Sequence, residues 1–277
     1  MNKRRVLIVC NTYYQLIMAF RMNETLFARD SVHVVLTDRA PNAAQVCERI
    51  KAMAVFDAMH YVQTAEYCQK RDTLREKIVD IWELVLGSGK FSEITADCFD
   101  VFLYYNDDLF EEVVFACLYQ KNRQLQCSRF EEGILSYNNL PKKNLKFSCA
   151  NMLRRFLGMD YLQARTSAFY CCHPDAYYGN LQTVAIPCID GDSTVRRTLA
   201  EAFAITADLL DYKERYIYFS SVYDFEGGSP IGELDAVKKI AEVVGKENLL
   251  IKKHPRDQRS VWFDEGFRVE VSIPSAM

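Results

Sequence analysis

Short apolar runs punctuate the first half of the chain: RVLIVC (5–10), VHVVLT (32–37), FDAMHYV (56–62), DVFLYY (100–105) and QLQCSRF (124–130). Each has the length of a strand and is rich in β-branched or aromatic residues. The segments between them, 14–28, 42–53, 70–86 and 109–121, repeat their apolar positions at helical spacing. Such alternation predicts βαβ units and a mostly parallel sheet covered on both faces, a Rossmann-like lobe over 1–141. From 142 to 214 the rhythm loosens into a basic helix (147–158), an irregular tract through CCHPDAYYGN and AIPCIDGDS, and a helix over 196–210. A second α/β pattern starts at 215: strand RYIYFSSV (215–222), loop YDFEGGSP, helix 231–244, strand NLLIKK (248–253), and a third strand within FRVEVSIPSAM. The pattern predicts a second, shortened lobe over 215–277.

Composition adds limits. At 277 residues, 49% hydrophobic and 26% charged, the chain can bury a large core and is no disordered segment. A net charge of −3 gives no reason to expect a nucleic-acid partner. Ten cysteines, mostly inside apolar runs and without a C-x-x-C pair, read as buried thiols of a reducing compartment. The run Val6–Cys10 is too short for a signal-peptide core, and no apolar stretch reaches transmembrane length. The expectation is a cytoplasmic protein with at most peripheral membrane contact, and with room for a homodimer.

Ligands in such sheets bind at the carboxyl ends of the strands, so the chemistry is sought just after them. Directly after the first run comes CNTYYQL, in which Thr12 and Gln15 offer hydrogen bonds to a ligand at a helix start. Asn11 or Thr12 serves equally as a plain N-cap. RFEEGILSY places Glu131 and Glu132 at a strand tip, with Gly133 allowing a sharp turn. A carboxylate there suits a general base, and a solvated acidic turn fits the same pattern. FDEGF (263–267) has the same shape and reads as a surface turn. NLLIKKHPRDQ ends a strand on Lys252, Lys253, His254, Pro255 and Arg256. Histidine titrates nearest neutrality, and the cations around it suit a departing phosphate. Without that chemistry the stretch is a basic loop. Ser220 and Ser221, at the tip of the preceding strand, are further candidates for nucleotide contact. His33 and His60 lie within strand patterns, and His173 lacks basic neighbours. Asp190-Gly191-Asp192 and the NDD cluster at 106–108 are short acidic loops, and no metal is assigned to them.

Taken together, Thr-x-Tyr-Gln-Leu after the first strand, Glu131-Glu132-Gly133 and Lys252-Lys253-His254-Pro255 resemble the motifs of bacterial sialyltransferases. The likeness is to the lipooligosaccharide and capsule type (glycosyltransferase family 52), with polysialyltransferases as relatives. The resemblance implies a GT-B fold and metal-free, inverting transfer of sialic acid from CMP-sialic acid, without a cofactor, to a sugar hydroxyl such as a terminal galactose of a surface glycan. It implies a base among Glu131 and Glu132, with Glu131 preferred, and His254 assisting departure of CMP. A downstream Ser/Ser or Ser/Thr element of that family has no clear counterpart before Met277, and Ser272 and Ser275 are poor substitutes. The same motifs also fit a GT-B transferase using another nucleotide sugar, or a non-catalytic glycan- or nucleotide-binding relative.

Overall fold

The computed structural model describes residues 3–65, 67–69, 73–105, 108–138, 145–187, 194–205, 214, 216–220, 230–254, 257 and 259–270. It divides into two compact units, 1–199 and 200–277.

In the first unit, β1 (Arg5–Cys10), β2 (Ser31–Thr37), β3 (Ala58–Val62), β4 (Val101–Tyr104), β5 (Gln126–Phe130), β6 (Thr166–Cys171) and β7 (Gln182–Ala185) form one sheet. The order is β3-β2-β1-β4-β5-β6-β7, and every pairing is parallel. Its helices are α1 (Tyr13–Glu24), α2 (Ala43–Met53), α3 (Leu74–Leu86), α4 (Leu109–Lys121), α5 (Leu145–Phe156) and α6 (Leu162–Arg165), and α7 (Thr194–Ala202) runs across the division at 199/200. Strand order reverses direction between β1 and β4, which makes their carboxyl ends a topological switch point. β1 and β4 are buried along almost their whole length, as parallel strands covered on both faces must be. A core of Phe102, Phe110, Phe115 and Leu118 with Leu84 and Val85 packs α3 and α4 on the sheet, and Ala150 of α5 joins it.

β6 and β7 lie in the tract whose sequence reads as irregular. Their burial patterns are mixed, and neither presents the continuous apolar run that marks β1 or β4. Pairing of β6 with β5, and of β7 with β6, settles them as strands.

The second unit carries β8 (Tyr216–Phe219), α8 (Pro230–Val244), β9 (Leu249–Lys252), α9 (Val261–Asp264) and β10 (Arg268–Glu270). Its sheet has the order β10-β9-β8, again all parallel, over a small core of Val237, Leu249, Ile251, Trp262 and Phe267. The expected architecture is therefore observed: α/β, with a large parallel sheet and a second, smaller one, as a GT-B type fold implies. The nine cysteines among the described residues are free thiols, and Cys98 and Cys149 are exposed rather than buried. No described helix is long and apolar enough to cross a membrane.

Candidate functional sites

At the tip of β5 the chain turns out of the sheet, and Glu131 is only 4% exposed there. Its backbone N–H donates to Tyr170 O, so pairing with β6 continues one step past the strand. Its side chain is closely surrounded. Tyr14 of α1 donates its hydroxyl to Oε1 at 2.5 Å, Tyr137 donates to Oε2 at 2.7 Å, and the Cys172 N–H donates to Oε2 at 2.7 Å. Burial alone would raise the carboxyl pKa. The hydrogen bonds from the Cys172 N–H, the two phenols and the Cys172 thiol outweigh it, and the group sits below its ordinary range. Both phenols are pushed up, first by burial and then by the anion they serve. Glu131 is thus an ionised anchor that joins α1, β6 and the segment after β5. The Tyr137 hydroxyl also accepts the His173 N–H at 3.0 Å, so the turn beyond β6 hangs on the same cluster. Cys172 is reached from the other side by Arg21 of α1, whose guanidinium donates to Sγ at 3.1 Å and also to Pro187 O.

Glu132, beside it, is half-buried, and its N–H donates to Ser136 Oγ at 3.3 Å. Gly133 has φ +132° and ψ −173°, a conformation essentially confined to glycine, and it starts the 3-10 turn Ile134–Tyr137 that brings Tyr137 back to Glu131.

Thr12 and Gln15 form a capping box. The Gln15 N–H donates to Thr12 Oγ1 at 3.2 Å, while Gln15 Oε1 accepts the N–H groups of Asn11 and Thr12. Their oxygens are committed to the start of α1. Asn11 lies at the switch point, where its amide donates to Glu111 Oε1 at 2.8 Å and its carbonyl accepts the Thr37 hydroxyl at 2.9 Å. Glu111 is buried in the first turn of α4, where the helix dipole favours an anion.

In the second unit the sequence-predicted residues Ser220, Lys252 and His254 come together at the ends of β8 and β9. Ser220 N–H donates to Lys252 O at 3.0 Å, and Ser220 Oγ accepts the His254 N–H at 2.9 Å. Lys252 is 6% exposed, and its ammonium has no hydrogen bond or ion pair to any described residue. Burial lowers its pKa, an effect only partly countered by Glu270, its register neighbour on β10. Lys253 is spent structurally, since its ammonium donates to Arg259 O at 2.6 Å and lies 5.7 Å from the Phe263 ring centre. Ser221, Pro255 and Arg256 lie outside the described residues, as do Asp190-Gly191-Asp192 and Asn106-Asp107.

Asp257, which the sequence reading passed over, holds this turn in place. Its carboxylate accepts Arg259 N–H, Nε and Nη2, Trp262 Nε1 at 3.1 Å and the Ser220 hydroxyl at 3.4 Å. Burial opposes ionisation, but these donors pull its pKa down to about 2. Arg259 also pairs with buried Glu233 at 2.9 Å. An acid three residues after a histidine, followed by Arg259 and Trp262, was the available signal. No group of His, Cys, Asp or Glu with metal-binding geometry occurs among the described residues.

The first unit also has a cavity of about 710 Å³ at the end of β3, lined in part by Tyr61, Gln63, Lys90 and Glu93, none of them a sequence-predicted site residue.

No protein-family model matches the chain, and no curated protein does. Among solved structures it is similar to one described as "putative UDP-N-acetylglucosamine 2-epimerase from Listeria monocytogenes", at 14% identity and a TM-score of 0.48 over 99% of this chain and 70% of that one. A second, described as UDP-N-acetylglucosamine 2-epimerase, gives 13% identity and a TM-score of 0.45 over 99% and 69%. These comparisons correct the resemblance drawn from the short motifs. No family model supports a family 52 sialyltransferase, and the similar structures bear another enzyme's name, so the assignment as a CMP-sialic-acid-dependent glycosyltransferase is withdrawn. The physical reason is visible in the residues. Thr12 and Gln15 make a helix cap that any sequence can use, and Glu131 is held by hydrogen bonds from Tyr14, Tyr137 and the Cys172 N–H.

Proposed function

We propose that this chain processes a nucleotide sugar, and that its second unit holds the phosphate at the ends of β8 and β9. The observation that carries the reading is Lys252: a largely buried lysine at a parallel-strand carboxyl end, with no hydrogen bond or ion pair to its ammonium among the described residues and only partial compensation of its charge by Glu270. A phosphate would complete the counter-charge that Glu270 supplies only in part. Ser220 and the His254 backbone are already fixed beside it, so little ordering would be lost on binding. His254 is assigned to the phosphate as donor.

The test is calorimetric titration of the full chain with UDP, UDP-N-acetylglucosamine, GDP and CMP. At least one should bind, and Lys252→Met should weaken it about tenfold or more, since a charge-assisted contact is lost. NMR of the bound nucleotide sugar would then show which sugar bond changes. No binding by any of the four, or equal binding by Lys252→Met, overturns the proposal.

A further inference from the structure

α5 presents two apolar faces, and only one is used. Phe147, Ala150 and Leu153 pack inward against the core of the first unit. Leu145, Cys149, Met152 and Phe156 recur at intervals of four, three and four residues, which places them on the opposite side of the helix. There Leu145 is 82% exposed, Met152 70% and Phe156 87%. α3, which packs on α5, repeats the pattern: Leu74, Ile78, Trp82 and Leu86 recur every four residues and are all exposed. Two neighbouring helices that each leave a stripe of large side chains in water mark an interaction surface, not scattered surface apolarity.

The charges around the stripes say what covers them. From Leu145 to Leu157 the chain has Lys146, Arg154 and Arg155 and no acid, within a protein of net charge −3. On α3, Arg75 and Lys77 are exposed, whereas Asp80 is buried and paired with Lys146. Glu83 is turned to Tyr67, Ser88 and Lys90, and Glu76 is taken into the capping box of Thr73. Glu76 stays exposed and charged, so the outward charge is Arg75, Lys77 and Arg155 against that one acid, a net positive margin. A second copy docked by a two-fold axis would set one net-basic surface against another, an unfavourable juxtaposition. An apolar stripe with a tryptophan and a basic margin matches an anionic bilayer surface instead.

We infer that the outer faces of α3 and α5 dock the protein on anionic lipid, with Met152, Phe156 and Trp82 entering the headgroup region and Arg75, Lys77 and Arg155 meeting the phosphates. This stands independently of the nucleotide-sugar reading. The experiment is cosedimentation of the full chain with vesicles of phosphatidylcholine alone and mixed with phosphatidylglycerol. The chain should bind the mixed vesicles, should dissociate at high salt, and should lose about tenfold or more in partitioning on Met152→Ser/Phe156→Ser. Because both side chains are exposed, the double variant should keep the wild-type melting curve. Trp82 supplies a second readout, since the other tryptophan, Trp262, is fully buried. Emission should shift to the blue on binding, and Trp82→Phe should abolish the shift. Absence of binding, equal binding to neutral vesicles, or unchanged binding by the double variant overturns the inference. A dimer in solution that the double variant dissociates overturns it in favour of self-association.

Discussion

Tyr14 and Glu131 are 117 positions apart in sequence, and the phenol of one donates to the carboxylate of the other at 2.5 Å. That bond ties the first turn of α1 to the tip of β5, on either side of the central strands. Replacing Glu131 with Ala leaves two phenols and the Cys172 N–H without their acceptor. We expect a loss of about 3 kcal/mol in urea unfolding. Glu131→Gln should cost less, since the amide oxygen still accepts.

The same carboxylate sets a pH dependence. Its pKa is lower folded than unfolded, so its contribution is fully present above the ordinary glutamate value of 4.5 and disappears as pH falls through the folded value. The stability difference between wild type and Glu131→Gln should be constant near neutrality and shrink in acid. A difference that grows as pH falls would contradict the assignment of an ionised anchor.

Asp257 gives a sharper window in the second unit. Its pKa falls from 3.8 to about 2, so the stability it lends persists above the higher value and is lost as pH drops to the lower. The shift corresponds to about 2 kcal/mol. Asp257→Asn should remove that acid sensitivity and lower stability at neutral pH. Because Ser220 and His254 share its network, the variant should also weaken nucleotide binding.

Lys252→Met should separate stability from binding. Removing an ammonium that burial disfavours and Glu270 offsets only in part should leave the free protein at least as stable while abolishing its phosphate contact. Denaturant melts with and without nucleotide read both effects.

Gly133→Ala tests the backbone at the base of the Glu131 cluster. A methyl group meets no neighbour there, so the cost is conformational: about 1–3 kcal/mol for a residue held at φ +132°. Substitution that leaves stability unchanged would show that the turn is not built as described.

Much of this fold is legible in the chain because parallel strands buried on both faces must be apolar throughout, and RVLIVC or VHVVLT have few other uses. TSAFYC and QTVA escaped because the outer strands β6 and β7 are only partly buried and carry serine, threonine and glutamine. The capping box of Thr12 and Gln15 follows from spacing alone. By contrast, Glu131 could be recognised as an acid at a strand tip but not as one held by three donors. Its partners Tyr14, Tyr137 and Cys172 arrive from three other segments, and only the fold places them there. The same holds for Ser220 and His254, 34 residues apart and joined through one backbone N–H.

The strand order of the large sheet has a consequence for synthesis. β1 emerges first and pairs on one side with β2, but its other edge waits for β4, with Val6 set against Val101. Until nearly a hundred further residues have left the ribosome, that edge is an unpaired row of backbone donors and acceptors flanked by fully apolar side chains. A nascent chain stalled before Val101 should therefore be a client for chaperones, and one released after β4 and β5 should not.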